Sequence, residues 1–197
     1  MAKREEYAYI LDILTPEQVM LKEANLIRKG FPTNEIYVQA VGEQYFTLLE
    51  LTVKPGVEVK PLERVYIGPG VRDKIDRIVR RLKYDELTET AKANLEKILP
   101  ELVKKQEKRF VEFFNKAGPI TLKLHSLELL RGIGKKTLWL ILEERKKRPF
   151  ESFEDIKKRV GIDPEKLIVD RILRELKGTE KYYLFVGGPY TAVLSQS

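Results

Sequence analysis

The sequence predicts an α+β chain with a small strand-rich N-terminal part, a helical middle and a helical C-terminal part. Three observations carry this. Short runs rich in Tyr, Ile, Leu and Val, punctuated by Gly and Pro, fill the first seventy residues. Apolar residues then recur at helical spacing, as at Ile75, Ile78, Val79 and Leu82. Residues 127–148, LELLRGIGKKTLWLILEERKKR, place a tight glycine turn between two apolar segments.

In the N-terminal part, Glu5–Leu14, Glu35–Gly42, Gln44–Val53 and Arg64–Gly68 read as strands, with Gly42-Glu43 as the turn of a hairpin. Between the first two lies Thr15–Gly30. There Thr15 before Pro16, with Gln18 three positions on, resembles a capped helix start, with a long loop as the alternative. Four short strands predict a small curled sheet or an OB-like barrel over residues 1–70. A fifth strand is expected from Lys181–Val186 (KYYLFV), returning from far along the chain. Alternation allows Tyr9, Tyr37 and Tyr66 to face outward, where rings stack bases; filling the core is the plainer role for tyrosines in strands.

Residues 71–124 are expected to be bridging helices. VRDKIDRIVRRL follows Gly68-Pro69-Gly70, so that turn is a weak candidate for a phosphate site and Arg77 and Arg81 are candidate phosphate contacts on a basic helix. Thr88 can cap TAKANLEKIL. Pro100 is then expected in the first turn of a further helix, ended by Gly118-Pro119.

Composition narrows the function. The chain has 197 residues, 43% hydrophobic and 34% charged, enough apolar material for real cores. No apolar run approaches the length of a membrane span, and the N-terminus lacks a signal-peptide pattern, so a cytoplasmic protein with no membrane partner is expected. There is no cysteine and a single histidine, His125, which excludes disulfides, thiolate nucleophiles and Cys/His zinc sites. The balance rich in Lys, Glu and Leu leans toward a thermophile. Net charge is −2 over residues 1–70, +5 over 71–124 and +4 over 125–197. A positive excess in the last two thirds suits a polyanion partner, although a solvated charged surface gives the same totals.

In the C-terminal part, Ser126 can cap a short helix, Leu127–Arg131, ahead of the turn Gly132-Ile133-Gly134. A second helix starts at Lys135 and Lys136 and runs to Arg148. Leu130, Gly132, Ile133, Gly134, Lys135 and Lys136 resemble the helix-hairpin-helix motif, with Leu138 departing from the small residue often found there. The resemblance implies backbone binding without sequence reading, through the amides of Gly132, Gly134, Lys135 and Lys136, with Ile133 packing into the hairpin. Lys146 and Lys147 extend the basic surface. A degenerate copy follows, capped at Ser152 and turning at Gly161-Ile162-Asp163-Pro164. Asp163 repels phosphate and Pro164 has no amide, so this copy is expected to be structural, completing a paired domain over residues 125–180.

Over almost its full length the chain resembles a family of uncharacterised, mainly archaeal proteins. The matching stretches are KREEYAYILDIL, QAVGEQYFTLLEL, RVYIG, EFFNKAGPITLKLHSLELLRGIGKK and EERKKRPFESFEDI. The resemblance implies an OB-like domain joined to a helix-hairpin-helix pair, and nucleic-acid binding, with RNA ahead of DNA. The expected protein is therefore a non-enzymatic binder with no cofactor and no metal. Its rival is a structural adaptor docking on a ribonucleoprotein or polymerase. An enzyme is the weakest reading: Asp73, Asp76, Asp85 and Glu86 carry no spacing that singles them out as Mg²⁺ ligands, and His125 beside a helix start suits a cap.

Overall fold

The computed structural model describes residues 4–14, 18 and 35–187. The helix expected over Thr15–Gly30 lies, apart from Gln18, outside the described residues. The fold is mixed α+β, and the chain divides into two compact units, residues 1–98 and 99–197.

The first unit is built on five strands: β1 (Tyr7–Leu14), β2 (Ile36–Gly42), β3 (Leu48–Val53), β4 (Arg64–Tyr66) and β5 (Ile75–Arg81). Their order is β4-β1-β2-β3-β5, and every pairing is antiparallel. Among the described residues no pairing joins β4 to β5, so this is an open sheet. Register shifts in β1–β2 and twice in β3–β5 bend the strands and curl it. Its inner face gathers Ala8, Ile10, Val38, Ala40, Leu49, Leu51, Val65, Ile67 and Ile75 into one core. The opposite face buries polar groups. Gln39 donates to the Glu86 carbonyl and accepts from the Thr88 amide, at 3.0 and 2.9 Å, which ties β2 to the chain after β5.

Two expectations about this sheet are corrected. Residues 75–81 are not a basic helix but the fifth strand, paired with β3. The bulge beside Ile78 breaks strict alternation, so the apolar spacing imitates a helix while the backbone follows the partner strand. Lys181–Val186 is not a strand of the sheet. It belongs to the second unit, where the amides of Leu184, Phe185 and Val186 all donate to one Glu175 oxygen, at 2.8, 2.9 and 3.1 Å. With these three amides on one carboxylate, residues 184–186 have none left to pair with a strand.

Helix α1 (Glu89–Lys105) begins in the first unit, where the Thr88 hydroxyl accepts from the Ala91 amide, and ends in the second. It contains Pro100 rather than breaking there as expected. Leu95, Ile98, Leu99, Leu102 and Val103 are buried along it, and this unbroken stripe holds the helix through the proline.

The second unit continues with α2 (Glu107–Lys116), the hairpin β6 (Pro119–Thr121) and β7 (Leu124–His125), a 3₁₀ turn over Ser126–Leu129, then α3 (Lys135–Lys147), α4 (Phe153–Val160) and α5 (Pro164–Leu176). Phe110, Phe114, Leu127, Leu130, Ile141, Phe150, Ile156, Ile168 and Ile172 are buried in it. Arg145 donates to the carbonyls of Phe114 and Ala117, closing the end of α2. Arg171 is 1% exposed and forms a 2.8 Å ion pair with Glu175 on α5. Among the described residues no helix is long and apolar enough to cross a membrane.

Candidate functional site

The glycine turn sits between the 3₁₀ turn and α3. The expected Ser126 cap is replaced by His125. Its Nδ1 accepts from the Leu127 amide at 3.1 Å, while the Glu128 carboxylate reaches back to the His125 amide at 2.8 Å. Ser126 instead donates to the Gly118 carbonyl at 2.7 Å. Burial, reinforced by the charge of Arg145, pushes His125 below the ordinary imidazole range and favours the neutral ring that can accept this bond.

Gly132 adopts φ +97°, a left-handed conformation that suits glycine. Ile133 is 4% exposed and anchors the turn inward, with its amide on the Leu130 carbonyl. Gly134 is the N-cap of α3 in an extended conformation, φ −93°, and its carbonyl takes the first helical bond, from Leu138. The amides of Gly132, Gly134, Lys135, Lys136 and Thr137 meet no acceptor among the described residues. Those of Lys135, Lys136 and Thr137 lie in the first turn of α3, at the positive end of its dipole. A Cβ at Gly134 would touch no protein atom and needs no unusual φ, so packing does not demand glycine there.

The two lysines differ. Lys135 is held 2.8 Å from Glu128 and donates to the Lys123 carbonyl at 3.2 Å. This ammonium, helped by the His125 amide, keeps the Glu128 carboxyl below its usual range. Lys136 is exposed, and no partner engages it among the described residues. The later helix starts are closed. Ser152 Oγ accepts from the Asp155 amide at 3.0 Å, and Asp163 accepts from the Lys166 amide at 3.3 Å. The Asp163 carboxylate thus occupies the place an external anion would take.

Other expected contacts scatter. Lys146 and Lys147 lie at the far end of α3, roughly 16 Å from Lys135 at 1.5 Å per residue. Each pairs with a glutamate on its own helix, Glu143 at 3.6 Å and Glu144 at 2.9 Å. Arg77 is on β5, not on a helix, and pairs with Glu35 at 2.7 Å. Tyr37 is buried, with its hydroxyl on Glu35, so the exposure expected of it is not found. The Tyr66 ring packs edge-on against Tyr7, and its hydroxyl donates to the Pro69 carbonyl at 2.7 Å. Tyr9 donates to Glu43. Arg81 is exposed at the end of β5. Among the described residues no three His, Asp or Glu side chains gather as metal ligands.

A family described as "Protein of unknown function (DUF655)" matches residues 4–187. The chain belongs to the DUF655 family. It is 47% identical over 188 residues to "Uncharacterized protein MJ0038" of Methanocaldococcus jannaschii, covering 93% of this chain and 81% of that one. It is also similar to the crystal structure of Af1531 from Archaeoglobus fulgidus, itself described as DUF655. There the TM-score is 0.78 at 47% identity, over 92% of this chain and 99% of the other. Both relatives are archaeal.

Two features of this DUF655 chain escaped the sequence reading. Trp139, its only tryptophan, is 65% exposed on α3, one turn beyond Lys136, and Leu140 beside it is also exposed. Helical spacing around Leu138 and Ile141 was the available signal: Trp139 falls off that face. The second is a cavity of about 380 Å³ in the first unit, where Arg81 is joined by Arg4, Arg72 and Arg80. These residues come from three separate segments, which only folding brings together.

Proposed function

We propose that this protein binds nucleic acid without reading its sequence, with RNA as the expected target, through a backbone phosphate held at the Gly132–Lys136 turn. The observation that carries the reading is the set of open amides at the start of α3, together with Lys136, which has no partner among the described residues. Such amides, at the positive end of a helix dipole, form an anion site. Glycine at position 134, which packing does not require, keeps the approach clear. In this reading residues 125–180 are a helix-hairpin-helix pair with one competent turn, and the curled sheet is an OB-like half-barrel. One phosphate is a weak grip, so the exposed Lys136 at the same helix start shares the load.

Gly134→Asp separates binding from folding. An aspartate at an N-cap holds or raises helix stability, but it places a carboxylate where phosphate would sit. Trp139 fluorescence of the full chain, titrated with single-stranded RNA and DNA of one sequence at two salt concentrations, reads the result. The expected outcome is affinity weakened about tenfold or more in Gly134→Asp at unchanged thermal stability. Lys136→Glu should lower the salt slope by about one. Unchanged affinity in both variants would reject the clamp.

A second reading, an adaptor docking on a protein of a ribonucleoprotein or polymerase, is favoured by the exposed Leu122, Trp139 and Leu140. It predicts salt-insensitive binding to a protein partner and none to bare RNA.

A further inference from the structure

We infer that the arginine-lined cavity of the first unit is a site for a single nucleoside phosphate, supplied free or as the unpaired end of an RNA strand. The inference rests on the nucleic-acid reading above, but its residues all belong to the other unit of the chain. The floor is apolar: Leu49 and Ile67 close the inner core of the curled sheet, and Ile78, 41% exposed on the edge strand β5, extends it to the surface. The rim is cationic. Arg80 is spent on Glu50 and Glu86, at 3.0 and 2.5 Å, and Arg72 holds the Gly68 carbonyl with Nε at 2.9 Å. Arg4 and Arg81 are exposed and have no partner among the described residues.

The one carboxylate lining the cavity, Glu5, is outnumbered by the four arginines, and its oxygens are turned to the β2–β3 turn. Glu5 accepts from the amides of Gln44 and Tyr45, at 2.9 and 2.7 Å, and from the Thr47 hydroxyl at 3.2 Å, locking the β2–β3 turn. Burial pushes its carboxyl up against the pull of those donors. An apolar floor under a cationic rim suits a ligand that pairs an apolar body with an anionic head. Guanidinium groups recognise phosphate by paired hydrogen bonds and lie flat on aromatic rings, so they serve both parts of a nucleotide. At about 380 Å³ the cavity sits low in the range of small-molecule sites, about 300–1,000 Å³. It suits one nucleotide and excludes a duplex. The tyrosines expected to stack bases are not needed here.

Amide NMR of the full chain tests this, with AMP, adenosine, inorganic phosphate and a short oligoribonucleotide with or without a 5′-phosphate. The expected result is that AMP shifts the amides of Thr47, Gly68 and Arg81, and does so far more strongly than adenosine or phosphate alone. Arg4→Ser with Arg81→Ser should weaken it about tenfold or more, and Ile78→Ser should weaken it while leaving the response to phosphate unchanged. A response limited to AMP assigns a free nucleotide, and one shared by the 5′-phosphorylated oligonucleotide assigns a strand end. No response to AMP, an equal response to inorganic phosphate, or a response that survives both sets of substitutions would overturn the inference. Gly134→Asp must leave the AMP shifts unchanged. Their loss with the RNA-dependent Trp139 signal intact defeats the cavity alone, and the reverse defeats the clamp alone.

Discussion

His125 shows how one residue can be read correctly in kind and wrongly in detail. Its isolation from other metal-binding residues and its place before a helix pointed to a cap, and it is one. That it displaces Ser126 from the role depends on Gly118, whose carbonyl takes the serine hydroxyl, and the sequence does not place Gly118 there. The cap is pH-sensitive. A base whose folded pKa is lowered binds fewer protons folded than unfolded, so its stabilisation is complete above the unfolded value, about 6.5, and is lost as pH falls through the folded one. Thermal melts should show stability dropping from pH ~7.5 to ~5.5 in the native chain, with the drop reduced in His125→Asn, which can still cap. Glu128 titrates lower, since Lys135 holds its carboxyl down, so its loss belongs to more acid solutions. The same ion pair explains why the GIG-KK pattern overstated the free charge: spacing revealed two lysines at a helix start but not that Glu128 would reach one of them.

At the scale of elements, β1 to β4 were legible because β-branched and aromatic runs ended at glycines and prolines. The turn after Gly42 was longer than expected because it is closed from outside by Glu5, with Phe46 at φ +57°. β5 was not legible. Its three apolar residues, Ile75, Ile78 and Val79, fit a helix face together with Leu82, and only pairing with β3 across a bulge makes residues 75–81 a strand. KYYLFV failed for the opposite reason, since local strand preference was overruled by a single carboxylate on α5. Helix α1 was misjudged at Pro100, where a break was expected. Proline inside a helix removes a donor and crowds the preceding turn, at a cost near 3 kcal/mol. Pro100→Ala is therefore expected to raise stability by about 1–3 kcal/mol in urea unfolding at unchanged m-value. No gain would mean that the helix is already relaxed around the proline.

For the whole molecule, charge was the coarsest signal. The segment totals did not reveal that Arg77, Lys146 and Lys147 are paired while, among the described residues, Arg4, Arg81 and Lys136 are not. The mixed α+β class was legible from strand-type runs punctuated by Gly and Pro followed by helical spacing, although that spacing misled at residues 75–81. The position of the division between units was not, because it falls inside one continuous helix that the sequence pattern split at Pro100. That division, between Ile98 and Leu99, has a practical consequence for dissecting the protein. Cutting there leaves ten of the seventeen residues of α1 on one fragment and seven on the other. Both are shorter than the roughly 12–15 residues at which an isolated helix holds together in water. Leu95 and Ile98 would go with the first fragment, and Leu99, Leu102 and Val103 with the second. Residues 1–105 expressed alone should thus give a sharper thermal transition and higher soluble yield than residues 1–98, by circular dichroism and size-exclusion chromatography. Equal behaviour would mean that the sheet folds without the second half of the helix. Domain-swap or truncation work on this family should treat α1 as indivisible and let fragments overlap across it.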